Sequence, residues 1–339
     1  MAQFLVECLT MRVTEWFRVV TPKLNLDAPG DCLILSGMCL KKPERLSEQD
    51  VVAMRIKHPL IGLLMSAAFV GALDGVAQAS TLDSLTVDLE AGPTGIIQND
   101  GRYGAGGTAF DASTVAQNRN LFDARRFSTE AAWGDRHTLI LLFAPFDVTT
   151  RVTLANPLTF RDTTFPAGAV VDHRYLFDGW RVSYLYRSYQ HGPFSADFGA
   201  TLGVRNALVS FTDLNSNRYD AERDIGPVPA LKMRLKHQSA SGIYALWDTD
   251  GFFTPGFTPV KGGILDSALS LGVPLQSGLD GFVRLRYLAG GADVPNRAIV
   301  NWSQFVGVSL GIRFTITPPK TDVSAAAPAP RFGPLTVRE

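Results

Sequence analysis

From Leu85 to the end of the patterned region at Ile316, apolar and polar residues alternate with a period of two. That is the mark of strands whose two faces meet different surroundings. The clearest run is 302–316. Trp302, Val306, Val308, Leu310, Ile312, Phe314 and Ile316 share one face, with Gln304 its only polar member. Ser303, Gly307, Ser309, Gly311, Arg313 and Thr315 share the other, with Phe305 its only large apolar member. The same rhythm runs through 85–91, 126–133, 180–187, 194–205, 231–236, 269–273 and 283–287. Residues 137–146 are almost continuously apolar and give no facing, and 243–248 is short and mixed. Near Asp178-Gly179 the apolar phase slips by one, which predicts a β-bulge. The pattern predicts about ten strands, with eight the lower count: 82–94, 119–133, 136–150, 169–188, 193–212, 228–238, 242–251, 264–275, 281–290 and 301–316. Short linkers at 134–135, 190–192, 239–241 and 276–280 alternate with long ones at 95–118, 151–168, 213–227, 252–263 and 291–300. Short turns at one end and long loops at the other suit an even-stranded barrel with both chain ends on the short-turn side.

Upstream lies one stretch of another kind, MRIKHPLIGLLMSAAFVGALDGVAQAS, residues 54–80. Arg55 and Lys57 precede an apolar run, and Ala77-Gln78-Ala79 is a small-x-small cleavage site before Ser80. This is the layout of a secretory signal peptide, and the apolar run is shorter than the roughly 20 residues that span a bilayer. The expectation is that Met54 is the true start, that 1–53 is a non-native extension, and that 54–79 is removed on export. All three cysteines, Cys8, Cys32 and Cys39, fall before residue 54. An exported chain either pairs its cysteines or omits them. Lys plus Arg and Asp plus Glu each number 32, so there is no bulk electrostatic case for nucleic acid. The Pro- and Ala-rich stretch 317–339 reads as a flexible tail.

An apolar strand face meets a core in a soluble barrel and lipid in a membrane barrel. The export signal, the linker asymmetry and the Gly- and Ser-bearing polar faces favour lipid. Residues 80–316 then resemble a small bacterial outer-membrane β-barrel of the OmpA/OmpX/OmpW kind. Ser309, Gly311, Phe314 and Ile316 resemble the C-terminal assembly signal of that class, here followed by the tail. The resemblance implies an all-β, closed, antiparallel, up-and-down transmembrane barrel. Its implied partners are outer-membrane lipid, lipopolysaccharide and the barrel-assembly machinery, with no cofactor.

In that orientation the inner face collects Arg126, Arg181, Arg187, Arg205, Lys232, Arg234, Lys236, Arg284, Arg286 and Arg313. Against them stand Asp88, Glu90, Glu130, Asp197 and Asp266. Buried charge must be paired or wet. Two outcomes are open: an ion-pair network that plugs the lumen, or a narrow, anion-leaning pore. Trp133, Tyr189, Trp247 and Trp302 fall near strand ends, where aromatics anchor at headgroup level. Catalytic patterns are weak. His237-x-Ser239 resembles the His-x-Ser of lipid A deacylases, but the next residues, Ala240-Ser241-Gly242, depart from that family. Asp248-x-Asp250 supplies half of an omptin-like site. Asp172-His173 does not supply the rest, since neighbouring strand residues face opposite ways. His173 and His191 are expected as a polar loop-side residue and a turn residue. Residues 101–107 are expected as a mobile glycine-rich loop, and 213–224 as a solvated polar loop. The reading is a non-enzymatic barrel with a structural, adhesive or weakly conducting role. A lipid-modifying enzyme and a soluble periplasmic binder are the alternatives.

Overall fold

The computed structural model describes residues 82–254 and 260–318, together with the backbone of Cys32–Leu35 and Met38–Lys41. Those two short segments pair antiparallel within a first unit, Met1–Leu73, and the barrel belongs to a second, Asp74–Glu339. The signal segment with Ala77 and Ala79, residues 1–31 and the tail beyond 318 lie outside the described residues.

Ten strands make the barrel: β1 Leu82–Tyr103, β2 Leu121–Trp133, β3 His137–Ala144, β4 Val170–His191, β5 Phe194–Asp213, β6 Tyr219–Gln238, β7 Tyr244–Thr254, β8 Lys261–Gln276, β9 Leu279–Val294 and β10 Ile299–Ile316. Each pairs antiparallel with the next in sequence, and β10 pairs back onto β1 from Ile299↔Tyr103 to Ile316↔Leu85. The ring is closed, so no sheet edge runs its full length. One extra strand, Asp147–Thr153, continues the line of β3 along β4, from Asp147↔Leu176 to Thr153↔Val170. A two-stranded hairpin, Leu158–Phe160 with Thr163–Phe165, sits in the same long connection. No helix among the described residues is long and apolar enough to cross a membrane.

The predicted strands are present but several are longer. β1 and β4 run 22 residues each, about 70 Å at about 3.3 Å per residue. Residues 101–103, expected in a mobile loop, are strand, and Gly101 exchanges backbone hydrogen bonds with Phe110 at 2.9 Å. Of the expected loop 213–224, only Leu214 to Arg218 lie outside strands. The expected strand 136–150 is broken at Pro145-Phe146. Proline has no N–H to give to a ladder, so the regular pairing lapses there.

The lengthening has one cause, and it also corrects the predicted bulge. On the lower part of β4, Trp180, Val182, Tyr184 and Tyr186 are exposed on the outside, while Arg181, Ser183 and Leu185 are buried inside. Higher up, Val171, His173 and Tyr175 are buried inside, while Asp172 and Arg174 form outer ion pairs with Arg151 and Asp147. Register against β5 runs without a break from Arg187 to Val171, so Asp178-Gly179 is no bulge. The real bulge is at Ser188, opposite Ala196/Asp197. What slips is the environment. Around the lower barrel the outside is apolar, with Leu202 55 % and Leu310 71 % exposed, the arrangement of a barrel that meets lipid. Above that belt the apolar side turns inward onto a core of loop residues, including Phe110, Val115, Leu158, Phe160 and Phe165, against Val171, Val209, Phe211 and Phe305. The strands continue past the belt because this capped core gives their inner faces something to bury against.

Candidate functional site

Within the belt the lumen is filled by charge. Period-two alternation brings seven cations, Arg126, Arg181, Lys232, Arg234, Arg284, Arg286 and Arg313, against six carboxylates, Asp88, Glu90, Glu130, Asp248, Asp250 and Asp266. Arg313 grips Asp88 through two bonds of 2.7 Å. Arg284 donates to Glu90 at 2.7 Å and to Ser270 at 2.7 Å. Arg234 bridges β2 and β7, donating to Glu130 at 2.7 and 2.8 Å and to Asp248 at 2.6 Å. Lys232 donates to Asp248 and, at 3.1 Å, to Asp250, which also accepts from Thr201. Asp266, 4 % exposed, accepts from Arg286 at 2.6 and 2.5 Å and from Arg181 at 2.5 Å. Arg126 stands 2.8 Å from Glu90 and 3.7 Å from Asp266. Bidentate arginine–carboxylate pairs are the form in which buried charge is best compensated.

The ends of the lumen differ from this centre. Toward the short turns, Tyr244 lies over Gly272 and Phe282 over Gly311, so closely that a Cβ at either glycine would fall 2.1 Å from the ring. Arg284 sits 4.7 Å from the Phe282 ring centroid, and Lys236 and Arg313 sit 5.3 and 5.5 Å from that of Tyr244. Arg187 pairs with Asp197 at 3.1 Å at the same end. Toward the loops, Arg205 pairs with Asp224 in a chamber of about 120 Å3. Its walls include Tyr103, Phe177, Val209, Leu288 and Phe305. Above it a buried polar chain runs through the cap: Ser303 donates to Asn99 at 3.1 Å, Asn99 to Gln117 at 2.7 Å, and Gln117 meets His173 Nδ1 at 3.2 Å. Burial lowers the His173 pKa to about 3.

The expected charge cluster thus divides by height. Arg205 belongs to the upper chamber, and Arg187, Lys236 and Asp197 to the turn end. Asp248 and Asp250 join the centre, and they offset the basic excess counted from the other strands. Their Asp-x-Asp spacing was the available signal, since a period of two puts both on one face. His173, expected as a polar residue on the loop side, lies on that side but is wholly buried, because its stretch of β4 lies above the belt where the inner face is core. In β10, Ser309 donates to Glu90 at 3.2 Å and Gly311 lies under Phe282, both toward the lumen. Phe314 and Ile316 share the outer face at the turn end, with Ile316 62 % exposed. Ser239 donates to the Ile243 carbonyl at 3.0 Å and shares a hydrogen bond with Ser241, rather than with His237. Trp247 is exposed on the outer face and donates to Ser267 at 2.9 Å. No group of three or more His, Cys, Asp or Glu side chains among the described residues is placed to hold a metal ion.

The sequence matches no family model and no curated protein. Solved structures with a similar fold include the outer-membrane protease OmpT of Escherichia coli, at 9 % identity and TM-score 0.41, over 70 % of this chain and 98 % of that one. Ail, the attachment invasion locus protein of Yersinia pestis, aligns at 7 % identity and TM-score 0.31, over 68 % and 99 %. The translocator domain of the autotransporter NalP from Neisseria meningitidis aligns at 13 % identity and TM-score 0.31, over 73 % and 96 %. At these values no activity carries over to this chain.

Proposed function

We propose that this chain is a non-conducting outer-membrane barrel that presents a rigid cap at the cell surface, in a structural or adhesive role. The observation that carries the reading is the central ion-pair network. Its cations and carboxylates are matched almost one to one across the lumen, and aromatic rings fill the space beneath them. A water-filled channel leaves its lining charges hydrated, whereas these are buried and bonded to one another. On this reading the signal at 54–79 exports the chain, and the short turns face the periplasm. The assembly machinery receives β10 through Ser309, Gly311, Phe314 and Ile316, and lipid and lipopolysaccharide surround the belt. The buried cap core favours a display surface over mobile loops. Recording from planar bilayers holding the pure folded protein tests this directly. The expected result is a silent membrane at moderate voltage. A reproducible single-channel step with anion selectivity would overturn the plugged lumen.

A further inference from the structure

The outer wall changes character where β7 to β10 and β1 leave the apolar belt. On β10 the outward residues from Ile316 up to Val306 are apolar, and Gln304 is the first that is not. At that height the strand ladders align two rows of outward residues. The lower row is Gly251, Leu265, Ala289, Gln304 and Gln98. The upper row is Phe253, Gly263, Gly291, Trp302 and Asp100. The two glycines leave the middle of the upper row without side chains, and the flanking rings lean over them. A Cβ at Gly263 would stand 2.7 Å from the Phe253 ring, and one at Gly291 2.8 Å from the Trp302 ring. A groove of about 300 Å3 lies here, with Phe253 and Leu265 on one side and Trp302 and Gln304 on the other.

One rim of the groove is polar. Tyr287 donates to Gln304 at 2.9 Å, Gln304 donates to Gln98, and Gln98 donates to Asp100 at 2.5 Å. These bonds run one way and end on a carboxylate. Among the described residues Asp100 has no cation within ion-pair distance, and its second oxygen accepts no bond. The indole N–H of Trp302 donates to none of them either. Gln98 and Gln304 each spend one of two amide hydrogens on the chain of bonds and keep the other. A carboxylate at the edge of hydrocarbon is costly unless donors meet it.

We propose that this groove seats the head and upper chain of one glycolipid of the outer leaflet. Sugar hydroxyls donate to Asp100 and accept from the indole N–H and the spare amide hydrogens. The C–H face of the sugar ring packs on the Trp302 ring, which presents an apolar body and a polar edge. The acyl chain runs down over Ala289 and Leu265 into the belt. A phospholipid head brings a phosphate toward Asp100 and no hydroxyl to donate to it. The inference rests on the reading that sets this belt in the outer membrane with the loops outward, and it holds whether or not the lumen is plugged.

The test uses the full chain folded in a polyoxyethylene detergent and titrated with dodecyl maltoside, which carries a sugar head on a single chain. Native mass spectrometry counts the retained molecules, and saturation-transfer NMR shows which of their protons touch the protein. One saturable maltoside per chain is expected, with the strongest transfer to the sugar C–H protons. Dodecyl phosphocholine, with the same chain and no sugar, should bind at least about tenfold more weakly. Asp100→Ala and Gln304→Leu should each lower maltoside affinity about tenfold by removing the polar rim. Ala289→Phe, which fills the groove and leaves that rim intact, should do the same. All three positions are on the outer face, and the mobility shift on boiling confirms that each variant folds. Equal retention of the two detergents, no saturation, a protein dimer in place of the adduct, or unchanged affinity in the folded variants would overturn the proposal. Insertion into phosphatidylcholine vesicles is scored separately. A chain that inserts and retains no maltoside overturns the glycolipid site alone, and one that stays out of the vesicles overturns the membrane reading with it.

Discussion

Gly272 shows how single positions decide the lumen's packing. The Tyr244 ring lies where a side chain at 272 would begin, and the cations Lys236 and Arg313 rest against the same ring. Gly272→Val must push the ring aside and disturb those contacts, at a cost of about 1–3 kcal/mol typical of overpacking. Gly226, where a Cβ would meet nothing within 4 Å, serves as the control, and Gly226→Ala should be neutral or slightly stabilising. Urea midpoints, read from the mobility shift of boiled against unboiled protein, check both. At this scale the sequence was legible wherever a charge sat in phase on a clean strand, as with Arg181, Arg284 and Arg313. It was opaque where partners come from strands far apart in sequence. Nothing in the run around Glu130 names Arg234 as its partner, and nothing near Asp88 names Arg313; barrel closure decides both. Asp248 and Asp250 were hidden for a different reason, because the short mixed run on β7 gave no facing from which to assign them.

On β4 one strand carries two patterns in series, polar-inside within the belt and apolar-inside above it. A pattern that reverses along an unbroken register reports a change of surroundings, and the sequence alone does not separate this from an inserted residue. His173 lies on the upper part, outside the membrane-spanning stretch, fully buried between Phe110 and Phe211 with Gln117 on its Nδ1. Its pKa in the closed cap is about 3, lowered by burial, against about 6.5 in an open chain. The open form therefore binds the extra proton first. Cap stability is fully present above about pH 6.5 and falls by about 1.4 kcal/mol per pH unit as acid is added, until the folded pKa is reached. Protease cleavage within the loops at 104–120 and 154–169 should rise steeply between pH 6 and pH 4. His173→Gln, whose carbonyl can still accept from Gln117, should lose most of that acid sensitivity. Equal pH profiles for the two proteins would show that the cap opens without exposing this histidine.

For the molecule as a whole, the governing fact is which side of the wall meets lipid. Strand number, antiparallel order and the two unlike ends were legible because they follow from periodicity and linker length. Closure was legible only by argument, since a strand set in lipid must pair every backbone group within the protein. The cap was not legible, because its core joins loop residues such as Val115 and Phe165 to strand residues such as Phe211 across long stretches of chain. The orientation of the wall is open to a direct energetic test. Leu202 is 55 % exposed on the outer face of β5, between Ala200 and Val204, within the belt. Leu214 is 43 % exposed in the turn that follows the same strand, beyond the belt. In water the two leucines are equivalent surface positions, and arginine at either would change stability by no more than about 0.5 kcal/mol. In a bilayer they are not, because a charge near the midplane on the lipid face costs about 2–4 kcal/mol and one outside the hydrocarbon costs little. Leu202→Arg should therefore lower the unfolding free energy measured in lipid vesicles by that amount, while Leu214→Arg leaves it unchanged. If both were silent, the apolar belt would not be facing hydrocarbon, and the inward charges would need another explanation.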